Sequence, residues 1–178
     1  MKEINNPSSS PSTHPKQYPP KLGIVSLIIV VLLSACGGDR VPKPELGQSA
    51  DVLVENLNQL YGYHFKANPD GTGYTDLPTL RPLPEGNALI VTPEGAVGLL
   101  SSFDAGGAEE ATKAFDDLLR RVGVPYELRE RDLIDWLNSD AASKAITEGI
   151  ATHESGSYTF VLTAGRWGTQ LTVSLTGK

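Results

Sequence analysis

Oxygen-bearing side chains in a Pro/Gly-rich stretch follow the spacing of a calcium-binding loop. Counted from Asn68, the first, third, fifth and ninth positions are Asn68, Asp70, Thr72 and Asp76, with Gly73 at the sixth. An EF-hand loop has this pattern, but it ends in a bidentate Glu at the twelfth position. That position is Thr79, and Pro78 and Pro82 interrupt the helix that should follow. The stretch therefore predicts a tight turn between strands, with a weak calcium site as the alternative.

Other residue types that perform chemistry are few. His64 and His153 match no metal-binding spacing, and we expect the first on a strand and the second in a loop. No Gly-x-Ser-x-Gly sequence marks a serine nucleophile. We therefore predict no catalytic residue, no metal and no cofactor, and we favour a binding or structural role over catalysis.

One loop near the C-terminus carries an aromatic residue beside a cation. Arg166 and Trp167 lie between two glycines, and the flanking runs have the alternation of strands. An aromatic and an arginine at a loop tip are typical of contact sites for a partner protein or a glycan. A tryptophan in such a loop more often folds back over the sheet, so core cover is the competing interpretation.

The only cysteine of the chain, Cys36, ends an apolar run. Residues 22–35 form a 14-residue apolar core that follows Lys21, and residues 1–21 are rich in Pro, Ser and Asn. A positive start, a short apolar core and small residues at its end are typical of a secretory signal. A membrane-spanning helix needs about 20 residues, so a cleaved signal is favoured over a permanent span.

The end of this run resembles the lipobox of bacterial lipoproteins, within residues 21–38. The residues that carry the resemblance are Leu33, Ser34, Ala35 and Cys36, followed by two glycines. The resemblance implies that Cys36 is acylated, by palmitate or a similar chain, and becomes the first residue after cleavage. It also implies the periplasmic face of the outer membrane in a Gram-negative cell, since Gly37 replaces a retention Asp, or the plasma membrane surface in a Gram-positive cell.

The rest of the chain is acidic. The formal net charge is −6, and because the first 36 residues carry +2, residues 37–178 carry −8. Such a charge repels phosphate, so we expect no nucleic-acid partner. We expect contact with the membrane through the lipid on Cys36, and with another envelope protein or a glycan. An envelope hydrolase acting on cell-wall or glycan bonds is the alternative function, because carboxylates are plentiful enough to form a catalytic pair.

The elements follow from hydrophobic periodicity. We predict a disordered leader over 1–21, a signal peptide over 1–35, a lipidated flexible tether over 36–47 and one domain over 48–178. Helical patterns cover 50–61, 108–122, 130–137 and 140–148, and strand patterns cover 61–66, 88–92 and 96–103. The alternating runs on either side of Arg166 and Trp167 predict a C-terminal hairpin. We therefore expect an α+β fold, with three or four helices packed on one face of an antiparallel sheet.

Overall fold

A computed structural model describes residues 41–76 and 83–177 of the chain. The signal segment, the lipobox with Cys36, and the positions of Thr79, Pro78 and Pro82 lie outside the described residues.

The described chain contains four α-helices and seven strands. The helices are α1 (Ala50–Tyr61), α2 (Ala108–Arg121), α3 (Leu133–Leu137) and α4 (Asp140–Glu148), and a π-helical turn (Leu128–Asp132) leads into α3. The strands are β1 (Phe65–Ala67), β2 (Tyr74–Asp76), β3 (Asn87–Val91), β4 (Val97–Ser102), β5 (Ile150–Ser155), β6 (Tyr158–Ala164) and β7 (Gly168–Leu175).

All seven strands form one antiparallel sheet in the order β1-β2-β3-β4-β7-β6-β5. After α1, the chain builds one half of the sheet from β1 to β4, then forms α2 to α4, and returns to add β5, β6 and β7. The last strand therefore pairs with β4 in the centre. This arrangement confirms the mixed α+β class, the antiparallel sheet and the C-terminal hairpin of β6 and β7.

Alternation along the central strands gives the sheet a core face. Val97 of β4 pairs with Val91 of β3 and with Val173 of β7, and Val173 also pairs with Phe160 of β6. All four side chains are fully buried. Because successive side chains of a strand point to opposite faces, these four define one face. The residues between them define the other, which we call the outer face.

Helical side chains join this core in a single apolar cluster. Its helical members include Ala50, Leu53, Val54, Leu57, Phe115, Leu118, Leu119, Leu133 and Trp136. In α1 and α2 they recur at helical spacing, which is the pattern of an amphipathic helix. Gly62 ends α1 in the left-handed conformation, and its N–H bonds to the Asn58 carbonyl.

Three elements differ from the expectations. Tyr61 belongs to α1, so the strand predicted over 61–66 begins only at Phe65. β2 and β5 were not predicted, because β2 has three residues and β5 alternates exposed with half-buried side chains without a strong apolar face. The predictions for both histidines were wrong, since His64 lies just before β1 and not on a strand, and His153 lies within β5 and not in a loop.

The start of the domain lies earlier than residue 48. Pro44 and Leu46 are buried, and the Leu46 N–H bonds to the Val122 carbonyl at 3.4 Å. The second half of the predicted tether therefore packs against the body of the domain.

Candidate functional site

Trp167 stands at the tip of the β6–β7 hairpin and is 77% exposed. The Arg166 guanidinium carbon lies 4.9 Å from the centroid of its ring, which is cation–π distance. A side chain so exposed does not cover the core. The interpretation of Trp167 as core cover is therefore wrong, and the contact site stays a prediction.

Backbone contacts hold this tip in place. The Gly165 N–H bonds to the Gly168 carbonyl at 2.9 Å, and the Phe103 N–H bonds to the Trp167 carbonyl at 3.1 Å. Gly168 is needed for the second contact, because a Cβ there would lie 2.1 Å from the Ser101 carbonyl oxygen. Because Gly168 has no side chain, the start of β7 can lie against the end of β4.

A cavity of about 290 Å³ opens beside the tip, and we call it the tip pocket. Its side chains come from β4, β6, β7 and the hairpin loop, and they include Leu100, Ser102, Thr163, Arg166, Trp167 and Gln170. Among the lining residues that the structure describes, Arg166 alone is charged, although the domain as a whole is acidic. Leu100 and the neighbouring Phe103 are 43% and 60% exposed, so apolar surface borders the pocket.

A second opening of about 260 Å³ lies toward the other end of β7. Thr172 and Ser174 of β7 line it together with Thr92 and Glu94 of the β3–β4 turn. Gln170 lines both openings. The two cavities are therefore consecutive along one strand.

The calcium alternative falls on a turn whose oxygen atoms are already hydrogen-bonded. An Asp70 carboxylate oxygen accepts the N–H of Thr72 at 3.1 Å and its hydroxyl at 2.6 Å, and these bonds lower the pKa of Asp70. The Asn68 side-chain oxygen accepts a hydrogen bond from the Thr75 hydroxyl. The Asp76 carboxylate accepts one from the backbone N–H of His64. These bonds account for the turn conformation. Within 41–76 and 83–177, no three His, Cys, Asp or Glu side chains gather closely enough to hold a metal ion.

The sheet separates the two histidines. His64 lies just before β1 and His153 lies on β5, and these are the two edge strands. Neighbouring strands are about 4.8 Å apart, so the two edges are separated by roughly 29 Å. This topology therefore does not bring the two histidines together in one metal site or triad. His153 instead stacks on Trp136 and Phe160, with ring centroids 5.6 and 6.1 Å away.

Close to His153 in the chain, Ser155 forms a hydrogen bond with Asp132. The Ser155 hydroxyl donates to the Asp132 carboxylate at 2.7 Å, and Arg131 donates to the same carboxylate at 3.1 Å. The Ser155 bond, followed by the Arg131 bond, lowers the pKa of Asp132. A serine that donates to a carboxylate in this way ties β5 to the π-helical turn.

Comparison with known proteins finds no matching family model, no matching curated protein and no matching solved structure. No helix in the part of the chain that the structure describes is long and apolar enough to cross a bilayer.

Sequence patterns indicated Arg166 and Trp167 but missed the rest of the pocket. Leu100 and Gln170 come from strands 70 positions apart, which pair only in the folded sheet. A signal was present in the alternation of Thr, Ser and Gln along β7, which marks one polar face.

Proposed function

We propose that this protein is a lipid-anchored component of the bacterial cell envelope whose domain acts by binding through the tip pocket. The lipobox-like sequence with Cys36 supports the anchor, and it supports the outer membrane of a Gram-negative cell or the plasma membrane of a Gram-positive cell. The part of the tether before Pro44 separates the anchor from the domain. The partner is another envelope protein or a glycan.

One observation carries the binding role, namely the exposure of Trp167 at 77% on a loop fixed by backbone hydrogen bonds. Leaving a tryptophan in water forgoes the burial of a large apolar surface, which would stabilise the fold by about 1.5–3 kcal/mol. Tryptophan and arginine are also the residue types enriched at the centres of interfaces. A rigid tip with both residues is suited to contact.

The alternative of an envelope hydrolase needs a different site. Glycoside hydrolysis uses two carboxyl groups on either side of the scissile bond. Within residues 41–76 and 83–177, no Asp, Glu or His lines the tip pocket. Binding is therefore the function that its chemistry supports.

We further propose that the helices pack on one face of the sheet. The apolar cluster supports this arrangement, since it joins side chains of α1, α2 and α3 with the core-face residues of β3, β4, β6 and β7. The outer face of the sheet then remains available for a partner.

The anchor is tested with Cys36→Ala in cells given radiolabelled palmitate. We expect the label to be absent from this variant and present in the wild type, because Cys36 holds the only thiol. The matched control is Trp167→Ala, which leaves the lipobox intact and should be labelled normally. Label retained by Cys36→Ala would refute the anchor.

The binding role is tested by crosslinking the full chain in the envelope and comparing Trp167→Ala with Tyr126→Ala. Both residues are exposed aromatics, at 77% and 65%, and only Trp167 lies in the tip pocket. We expect Trp167→Ala to reduce crosslinked adducts at least about tenfold, as for a residue central to an interface. Equal adducts from both variants would contradict a role for the tip.

A further inference from the structure

We propose that the outer face of β7 forms a groove for an extended, uncharged glycan chain, with Trp167 at one end. This inference rests on the proposed binding function and names the ligand class. Gln170 joins the tip pocket to the second opening, so the groove follows β7 from Gly168 to Leu175. Eight residues of strand span about 26 Å, which suits a chain of several sugar units.

The outer face of the four central strands carries no charge. Its strand pairs are Leu100 with Gln170, Gly98 with Thr172, Thr163 with Gln170, Val161 with Thr172, and Thr159 with Ser174. Ala88 and Ile90 of β3 and Ser102 of β4 complete it. In a domain with a charge of −8, the surface of four neighbouring strands is thus occupied by Thr, Ser, Gln and small or aliphatic residues.

This chemistry argues against the other extended polymers. Nucleic acid requires several cations to replace its counterions, whereas the described residues of the groove include one cation, Arg166, and one anion, Glu94. An extended peptide gains affinity by pairing with a free strand edge, whereas the backbone groups of β7 already pair with β4 and β6. An acyl chain needs an apolar floor along its whole length. Leu100 supplies apolar surface in the tip pocket, but the second opening is floored by Gln170, Thr172 and Ser174.

A neutral sugar chain matches what the groove offers. Two of the hydroxyls make only long bonds to neighbouring carbonyls, at 3.4 Å for Thr163 and 3.5 Å for Thr172. Bonds of this length are weaker than usual, so these hydroxyls can exchange them for bonds to ligand hydroxyl or amide groups. The face of the Trp167 ring carries partial negative charge, so it attracts the electropositive C–H groups on the face of a sugar ring.

The test is a titration of the full chain, held in a detergent without sugar groups. The probes are hexa-N-acetylchitohexaose and cellohexaose, which are neutral, and hexagalacturonate, which is anionic. Of the two tryptophans, Trp136 is 6% exposed and Trp167 is 77% exposed. A change in intrinsic fluorescence on binding therefore reports on Trp167, and calorimetry gives the affinity of the variants.

We expect at least one neutral probe to bind more tightly than hexagalacturonate. Trp167→Ala should weaken that binding at least about tenfold. Thr172→Val, which keeps the shape and removes the hydroxyl, should weaken it by about threefold to tenfold. Thr112→Val on α2 is the matched control and should leave the affinity unchanged.

Two results would overturn the inference. If hexagalacturonate binds best, Arg166 governs recognition and the ligand is anionic. If no neutral probe binds while the crosslinked adducts still depend on Trp167, the tip contacts another kind of partner and only the glycan assignment fails. Loss of dependence on Trp167 in both experiments would refute the proposed function as well.

Discussion

At the scale of single residues, the Ser155–Asp132 hydrogen bond links stability to pH. Ser155 stabilises the ionised form of Asp132, which lowers the pKa of that carboxyl below its ordinary value of 3.8. A carboxyl whose pKa is lower in the folded state stabilises the fold above its unfolded pKa. That contribution is lost as the pH falls through the folded pKa.

Ser155→Ala removes the first cause of this shift. We expect the variant to unfold at a lower urea concentration than the wild type near neutral pH, and the difference to disappear below the folded pKa of Asp132. Urea unfolding over a series of pH values from neutral to acid measures the effect. A difference that is independent of pH would show that Ser155 acts through packing and not through the charge on Asp132.

The two tryptophans differ in burial. Trp136 is buried and stacks on His153, whereas Trp167 stands in water beside Arg166. Composition cannot separate the two, since both tryptophans are flanked by apolar and polar neighbours in sequence. Their roles follow from position, one on a core-facing helix and the other at a hairpin tip.

At the scale of elements, the contact between β4 and β7 depends on Gly98. A Cβ at this position would lie 2.7 Å from the Leu171 carbonyl oxygen and 2.9 Å from the Thr172 methyl group. Ile90 closes the third side at 3.1 Å. Side chains from both neighbouring strands therefore fill the space above the glycine.

Gly98→Val tests this packing. Valine is a strong strand former, so propensity alone predicts a gain in stability. We expect instead a loss of about 1–3 kcal/mol in the free energy of unfolding, because the new side chain forces β4 and β7 apart. The control is Gly106→Ala, where nothing lies within 4 Å of the added Cβ. Thermal unfolding of both variants gives the comparison, and a stable Gly98→Val would contradict the close approach.

Local patterns were sufficient for the elements that have strong periodicity. α1 and α4 have the predicted bounds, and β3 and β4 fall within one residue of the strands predicted over 88–92 and 96–103. β5 could not be predicted, because its side chains alternate only between exposed and half-buried. The hydrophobic pattern of β5 alone does not show that β5 pairs with β6, because that pairing forms only in the folded sheet.

The residues of the candidate site also differ in whether local sequence could predict them. Arg166 and Trp167 were recognisable, because a hairpin loop is a local feature with its own turn residues. The groove was not, because it requires β7 to pair with β4 across the intervening helices. The calcium-binding alternative at Asn68, Asp70, Thr72 and Asp76 remains a prediction from spacing.

At the scale of the whole molecule, the segment before α1 is part of the domain. Leu46 is 8% exposed and belongs to the apolar cluster. We expect Leu46→Ala to lower the free energy of unfolding by about 2–5 kcal/mol, since it leaves a cavity in this cluster. The exposed Pro42 supplies the control, and Pro42→Ala should change stability little. Equal stabilities, measured by urea unfolding, would mean that residues 41–47 act only as a linker.

The packing of Pro44 and Leu46 against the domain also limits how far the domain can lie from the membrane. With Cys36 acylated as proposed, only residues 37–43 separate the lipid from the packed segment, and seven residues reach at most about 25 Å. The domain then meets ligands near its own membrane at a high effective concentration and cannot reach those farther away. Inserting residues into the segment 37–43 should increase the distance from the membrane at which an anchored molecule can bind a ligand.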